Sequence, residues 1–180
     1  MKPFTQIALG MLMLQAITAP AASCRNDMPL STPDARFTIR NDLVEDHLTT
    51  LTWTRCALGQ TWQNGVCTGT EHSLSLGEAQ KALEEVNRKG LYGYRDWRLP
   101  LLPELASIVE RQCFYPRANE TVFPGIHSVV FWSGMHRRGS EHMAYAPDFG
   151  SGETMAVSDD HQEAIRLVRG GPWWHPPVAY

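Results

Sequence analysis

The residues best suited to chemistry stand close together in one polar run. HRRGSEH places His136, Arg137, Arg138 and His142 within seven residues, and Tyr145 follows three positions on. Arginine presents a planar fork of donors and tyrosine a stacking face, a combination that suits a carboxylated or sulfated group. These five residues are the expected ligand-binding set, within loops spanning 134–162. Catalysis would need a nucleophile beside a base, a glycine-rich phosphate cradle or paired carboxylates at a working spacing, and none emerges from the chain. The seven histidines do not help. His136 and His142 are not a helical His-x-x-x-His pair, and His161, after Asp159 and Asp160, belongs to no closed zinc set. No catalytic residue, no transition metal and no cofactor is expected. Calcium is the one ion with an available set of loop carboxylates, Asp148, Asp159 and Asp160.

Two other charged runs read as scaffold. In GYRDWRLPLLPEL (93–105) Gly93 turns the chain out of a helix, Trp97 supplies a large apolar face, Pro100 keeps Leu99 extended and Pro103 starts the next helix. Arg95, Asp96 and Arg98 are expected to pair with one another or to bond carbonyls left free at the corner. In RLVRGG (166–171) Arg166 and Arg169 fall on opposite faces of a strand, while Gly170 and Gly171 permit close backbone approach or positive φ. Trp53, Trp97, Arg98, Pro100, Trp132, Arg169, Gly170 and Gly171 form the structural set.

The elements that position these residues follow from periodicity. Residues 37–55, FTIRNDLVEDHLTTLTWTR, alternate loosely and fit a strand pair with a turn within 41–47. LSLGEAQKALEEVNRKG (74–90) is the clearest helix. Ser75 caps it three residues before Glu78, Ala79, Ala82, Leu83 and Val86 form its apolar stripe, and Gly90 ends it. PELASIVERQ (103–112) predicts a second helix with Leu105, Ile108 and Val109 inward. Further on, VVFWSG predicts a short buried strand, MAYAPDF and ETMAVS a strand pair around GSG, and AIRLVRG a closing strand. Residues 24–36 read as an extended leader, and the proline-rich tail (172–180) is expected to pack Trp173 and Trp174 back on the surface. Strands, two consecutive helices and more strands predict an α+β domain with an antiparallel sheet.

The first 23 residues carry one lysine, an apolar run from Ile7 to Leu14 and small residues before Cys24, which predicts a secretory signal peptide. Lipidation of Cys24 is not expected, because Ala21 stands where a lipobox prefers leucine. Nothing later is long and apolar enough to cross a bilayer, so a periplasmic, secreted or cell-surface location is expected. The chain carries 16 basic against 19 acidic residues, a net charge of −3, which gives no general attraction to nucleic acid. Four cysteines in an exported chain imply two disulfides, with three pairings possible. Cys56 and Cys67 bracket a short glycine-containing loop that closes easily, which leaves Cys24 for Cys113. Closure of a small loop contributes about 2–3 kcal/mol.

Five motifs occur together in order: LTWTRC (51–56), GQTW (59–62), GYRDWRLPLLPEL, FWS (131–133) and RLVRGG. Together they resemble the Lcl C-terminal domain family over roughly residues 33–171. The resemblance implies a disulfide-stapled C-type lectin-like fold, with the two helices packed on antiparallel sheet, in exported bacterial proteins. That superfamily includes the formylglycine-generating enzymes, whose chemistry needs a reactive cysteine pair. Founding members of the family resemble adhesin modules that trimerise and bind sulfated host glycans. This sequence contains no collagen-like repeat, is net acidic, and carries NDLVEDH where the first hairpin usually has a glycine-rich turn. Trimerisation and glycosaminoglycan binding are therefore not carried over.

The expected function is a non-catalytic binding module for a glycan or an envelope protein. The alternative is a structural accessory subunit of an envelope assembly such as a pilus or secretion complex, and an enzyme of the formylglycine type comes third.

Overall fold

A computed structural model describes residues 23–25, 27–126 and 129–171. The expected signal peptide, apart from Ser23, and the tail with Trp173 and Trp174 lie outside the described residues. In chain order the elements are β1 (Ser23–Cys24), β2 (Phe37–Arg40), β3 (Leu43–Asp46), β4 (Leu51–Thr54), β5 (Thr61–Gln63) and β6 (Val66–Thr68). They continue with α1 (Leu76–Lys89), α2 (Leu102–Ser107), β7 (Cys113–Phe114), β8 (Met143–Pro147), β9 (Thr154–Ser158) and β10 (Val168–Gly170). The result is a mixed helix and sheet structure with two helices, antiparallel sheets and two disulfides.

The main sheet runs β10-β4-β3-β2, antiparallel throughout. Residues 37–55 make three strands here rather than the expected pair. Asn41 adopts a left-handed conformation (φ 54°) and turns the chain after only four strand residues. Asp46 makes the second turn by accepting from the Leu48 amide and the Thr49 hydroxyl. The same buried carboxylate takes both arms of Arg36, at 2.8 and 2.5 Å. Burial alone would raise its pKa, but Arg36 and these local donors outweigh burial and hold it below the usual carboxylate range.

The cysteines pair as Cys24–Cys113 and Cys56–Cys67. The first bond fastens the β1–β7 ladder. The second encloses a hairpin, β5–β6, that turns on Asn64 (φ 51°) and Gly65 (φ 88°), both left-handed as a tight two-residue turn requires.

Helix α1 follows from its caps. Ser75 and Glu78 form the reciprocal capping box, and Gly90 at φ 76°, ψ 59° terminates the helix. The turn out of the helix therefore begins at Gly90, before Gly93. Helix α2 is shorter than PELASIVERQ predicted, and Pro103 occupies its second position. It stops at Ser107, whose carbonyl accepts from Arg36 and whose hydroxyl bonds back to the Glu104 carbonyl. Beyond it Glu110, fully buried, accepts from the amides and hydroxyls of Ser31 and Thr32 and from the Gln112 amide. That network anchors the leader, which is not featureless: residues 34–36 form a turn of 3-10 helix.

VVFWSG forms no regular strand. Val130 and Phe131 make single bridges, to Asp148 and Ala164. Only residues 168–170 of AIRLVRG are strand, but the approach to it is bonded throughout. Glu163 exchanges bonds with Leu74, and Ala164 bonds both Val130 and Trp132. The Ile165 carbonyl accepts from Leu58, the Leu167 carbonyl from Thr54, and Val168 exchanges bonds with Arg98. Two apolar clusters flank this segment. One holds Trp53, Phe123, Phe131 and Phe149. The other holds Leu76, Trp97, Trp132, Ile165 and Leu167 and seats α1.

The pairing of MAYAPDF with ETMAVS around GSG forms as expected, as hairpin β8–β9. Asp148 donates no proton but accepts from the Gly150 and Ser151 amides and the Ser151 hydroxyl, which sets the turn.

The Glu110 network yields a prediction. Burial acts to raise the Glu110 pKa, yet donors from Gln112, Thr32 and Ser31 overcome it and lower the group from 4.5 to about 2. A folded-state pKa below the unfolded one gives stability that is present above about pH 4.5 and is lost as pH falls toward 2. Glu110→Gln should cost about 2–3 kcal/mol at pH 7. Urea denaturation from pH 7 to pH 3 should show the gap between variant and parent narrowing as acid is added.

Candidate functional site

The corner between the helices is held by local pairs and by one contact from the far end of the chain. Arg98 grips Glu104 through two contacts of 2.7 Å, and Glu104 also accepts from the Leu101 amide. Asp96 pairs with Arg169 of β10, whose guanidinium lies 3.7 Å from the Tyr94 ring centroid. Arg95 donates to the carbonyls of Asn87 and Arg88 at the end of α1. So Arg95, Asp96 and Arg98 do not pair with one another, but Arg95 and Arg98 do bond free carbonyls as expected, Arg98 those of Leu99 and Gly170. Trp97 is buried, and its indole donates to the Leu91 carbonyl. Pro100 offers its carbonyl to Gly134, which ties the corner to the FWS segment.

RLVRGG is buried over Arg166–Val168 and emerges at Gly170. The Arg166 guanidinium is fully buried, donates to the Thr54 and Arg55 carbonyls and lies between the rings of Phe123 and Phe131. Burial lowers its pKa to about 9. Gly170, at φ 74°, passes so close to the Thr50 carbonyl that a Cβ would sit 3.3 Å from it.

The expected ligand set is divided by a strand-like pairing. Tyr145 donates its amide to Met135, Arg137 donates its amide to Met143, and His136 faces Ala144 across the bridge. Successive side chains alternate between faces. His136 therefore shares the face of buried Ala144 and reaches Asp159, with Nε2 3.8 Å from Oδ2. Arg137 takes the other face, against the Met143 sulfur at 3.7 Å, and Tyr145 shares that face. Arg138 is exposed at the tip, where Gly139 turns the chain at φ 82°. His142 contributes its carbonyl to the Asp159 amide. The five residues thus do not converge on one point.

What converges instead is a cleft of about 450 Å³ between this tip and the start of α1, lined by Ser75, Gln80, His136, Glu141, Asp159 and Asp160 together with Leu76 and Gly77. The Asp159 carbonyl accepts the Leu76 amide, and carboxylates at this end of α1 are favoured by the helix dipole. Glu141 and Asp160 make no ion pair with a described residue. The Oδ1 atom of Asp159 is buried and has no partner among the described residues. The cleft offers acceptors for hydroxyl or amine groups, and its acidic charge repels sulfate.

Of the calcium trio, the cleft gathers Asp159 and Asp160 but not Asp148, which sits at the opposite end of hairpin β8–β9, about 20 Å along the strands. The structure does not bring those three carboxylates together. Ser75, Gln80 and Glu141 were not anticipated, because they enter the cleft only through the docking of the hairpin against α1.

An antiparallel sheet closed by a C-terminal segment, two helices joined at an arginine-and-tryptophan corner and two disulfides define a mixed helix and sheet domain. The chain belongs to the Lcl C-terminal domain family, whose model matches residues 42–169. No curated protein matches the chain. The disulfides, and the absence among the described residues of a helix long and apolar enough to cross a membrane, are compatible with an extracellular or periplasmic protein.

The corner gives a second prediction. The Arg98 and Glu104 side chains are 20% and 8% exposed, so removal of one partner strands the other largely out of water. Arg98→Ala should destabilise the fold by about 2–4 kcal/mol. Asp96→Ala should cost less than about 1 kcal/mol, since that carboxylate is 58% exposed. Thermal melts of both variants check the ranking.

Proposed function

We propose that the chain is a non-catalytic binding module of the bacterial cell envelope, related to the C-type lectin-like superfamily, that takes a neutral or amine-bearing glycan in the cleft at the start of α1. The observation that carries this reading is the convergence of Asp159, Asp160, Glu141, Gln80 and His136 on one open cleft. Paired carboxylate and amide acceptors suit the vicinal hydroxyls of a sugar ring. A sulfated ligand fits less well, because an anion at about 4 Å from a carboxylate is opposed by roughly 1–4 kcal/mol. All four cysteines are crosslinked, which leaves no free thiol for chemistry of the formylglycine type. The Ser75 hydroxyl is engaged in the capping box, so it is not poised as a nucleophile.

One observation favours the second reading, a structural accessory subunit: among the described residues β9 pairs with β8 alone.

A glycan array probed with the oxidised protein tests the first reading. Binding to neutral or amino glycans should fall at least tenfold in Asp160→Ala and in Gln80→Ala, and should be little changed in Arg137→Ala. Retention of binding in both cleft variants, with loss in Arg137→Ala, would move the site to the outer face. An array without specific signal would leave the accessory-subunit reading in its place.

A further inference from the structure

The outer edge of β9 is an open strand template. In hairpin β8–β9 the Asp159 amide donates to His142 and the Asp148 amide to Glu153. With the observed register, the bonded pairs therefore fall at 142/159, 144/157, 146/155 and 148/153. Met155 and Val157 turn their backbone groups toward β8. Thr154, Ala156 and Ser158 turn theirs away. Among the described residues, the Ser158 carbonyl is the one outward group with a partner, the His161 amide. The N–H and C=O of Thr154 and Ala156 and the N–H of Ser158 make no hydrogen bond to a described residue. The opposite side of β8 is already covered, by Phe131, Ser133, Met135 and Arg137.

Proteins usually protect such an edge with a charge, a proline or a bulge. TMAVS has none of these within its five residues. Thr154, Met155 and Ser158 are exposed, and Met155 is 39% exposed. The strand is flanked instead by acids, Glu153 before it and Asp159 and Asp160 after it, and neither Glu153 nor Asp160 has an ion-pair partner among the described residues. Charge identifies the occupant. A second copy paired antiparallel about Ala156 would set Glu153 against Asp159 of the other copy at both ends, a like-charge contact that disfavours self-pairing. A strand with basic ends meets no such opposition.

We propose that β9 accepts an extended segment of another protein as an added strand, and that this segment has an uncharged centre of about five residues with a lysine or arginine at each end. Backbone bonds to Thr154, Ala156 and Ser158 hold it, and the acids at the two ends select its charge. This edge meets the glycan cleft at Asp159 and Asp160, but the backbone bonds offered by Thr154, Ala156 and Ser158 lie outside the cleft and do not depend on glycan binding.

The test uses the oxidised protein labelled with ¹⁵N and two synthetic peptides, Lys-Thr-Val-Thr-Val-Thr-Lys and the same peptide with Asp at both ends. Titration with the lysine-ended peptide should shift the amides of Thr154, Ala156 and Ser158 and slow their exchange with solvent. The aspartate-ended peptide should bind at least tenfold more weakly. Ala156→Pro removes one outward amide without touching the β8 ladder and should weaken binding at least tenfold. Glu153→Lys combined with Asp160→Lys should reverse the preference between the two peptides, a readout that does not depend on how well the proline variant folds. Absence of shifts at millimolar peptide, shifts confined to other residues, or unchanged preference in the double-lysine variant would overturn the proposal. So would a dimer in analytical ultracentrifugation that Ala156→Pro dissociates, because it would show the edge to be occupied by a second copy.

Discussion

The backbone of residues 163–170 is the constraint on which the rest of the structure depends. Its amides and carbonyls bond Leu74 before α1, Leu58 before hairpin β5–β6, Val130 and Trp132 in the middle of the chain, β4 in the main sheet and Arg98 at the corner. Val168 exchanges both of its backbone bonds with Arg98 and lies opposite Trp53 of β4, where the preceding Leu167 carbonyl takes the Thr54 amide. Ala164, Ile165, Arg166, Leu167 and Val168 are all buried, so each of these backbone groups would be costly to leave without a partner. Nearly every contact joins residues far apart in the chain. The parts that gather the cleft and expose the β9 edge hold their places because this one segment is threaded between them.

Two features explain how the spine tolerates a buried cation. Among the described residues Arg166 has no carboxylate partner, but its guanidinium meets the Thr54 and Arg55 carbonyls and the faces of two phenylalanines. Carbonyl dipoles and ring quadrupoles take the place of an anion there. Arg169, one face over, reaches toward the surface and holds Asp96. The alternation of a strand thus assigns one arginine to the core and the other to the corner.

Local signals were legible in the sequence, and packing was not. The Ser75–Glu78 capping box and Gly90 mark α1 because both act within a few residues. The strand pair around GSG was readable for the same reason. Asn64–Gly65, a strong hairpin signal, was present in the Cys56–Cys67 loop and went unread. The early end of α2 could not be read, because Arg36 and the Ser31–Thr32 leader, about 70 residues away, compete for its last carbonyl and for Glu110. The candidate site was legible only in part. HRRGSEH stood out by composition, yet side-chain alternation directs His136 and Arg137 to opposite faces, and Gln80 joins His136 only through the fold. An unprotected edge such as β9 shows in the sequence as an uncharged run, but whether it is paired depends on topology.

Native-state hydrogen exchange tests the central role of residues 163–170 most directly. The account predicts that the amides of Leu58, Leu74, Arg98, Trp132, Ala164 and Val168 exchange only by global unfolding, with one common free energy and one common denaturant dependence. If Arg98 and Val168 exchanged by a local opening while Leu58 and Trp132 stayed protected, the terminal segment would be a peripheral strand, and the claim that it holds the domain together would be contradicted.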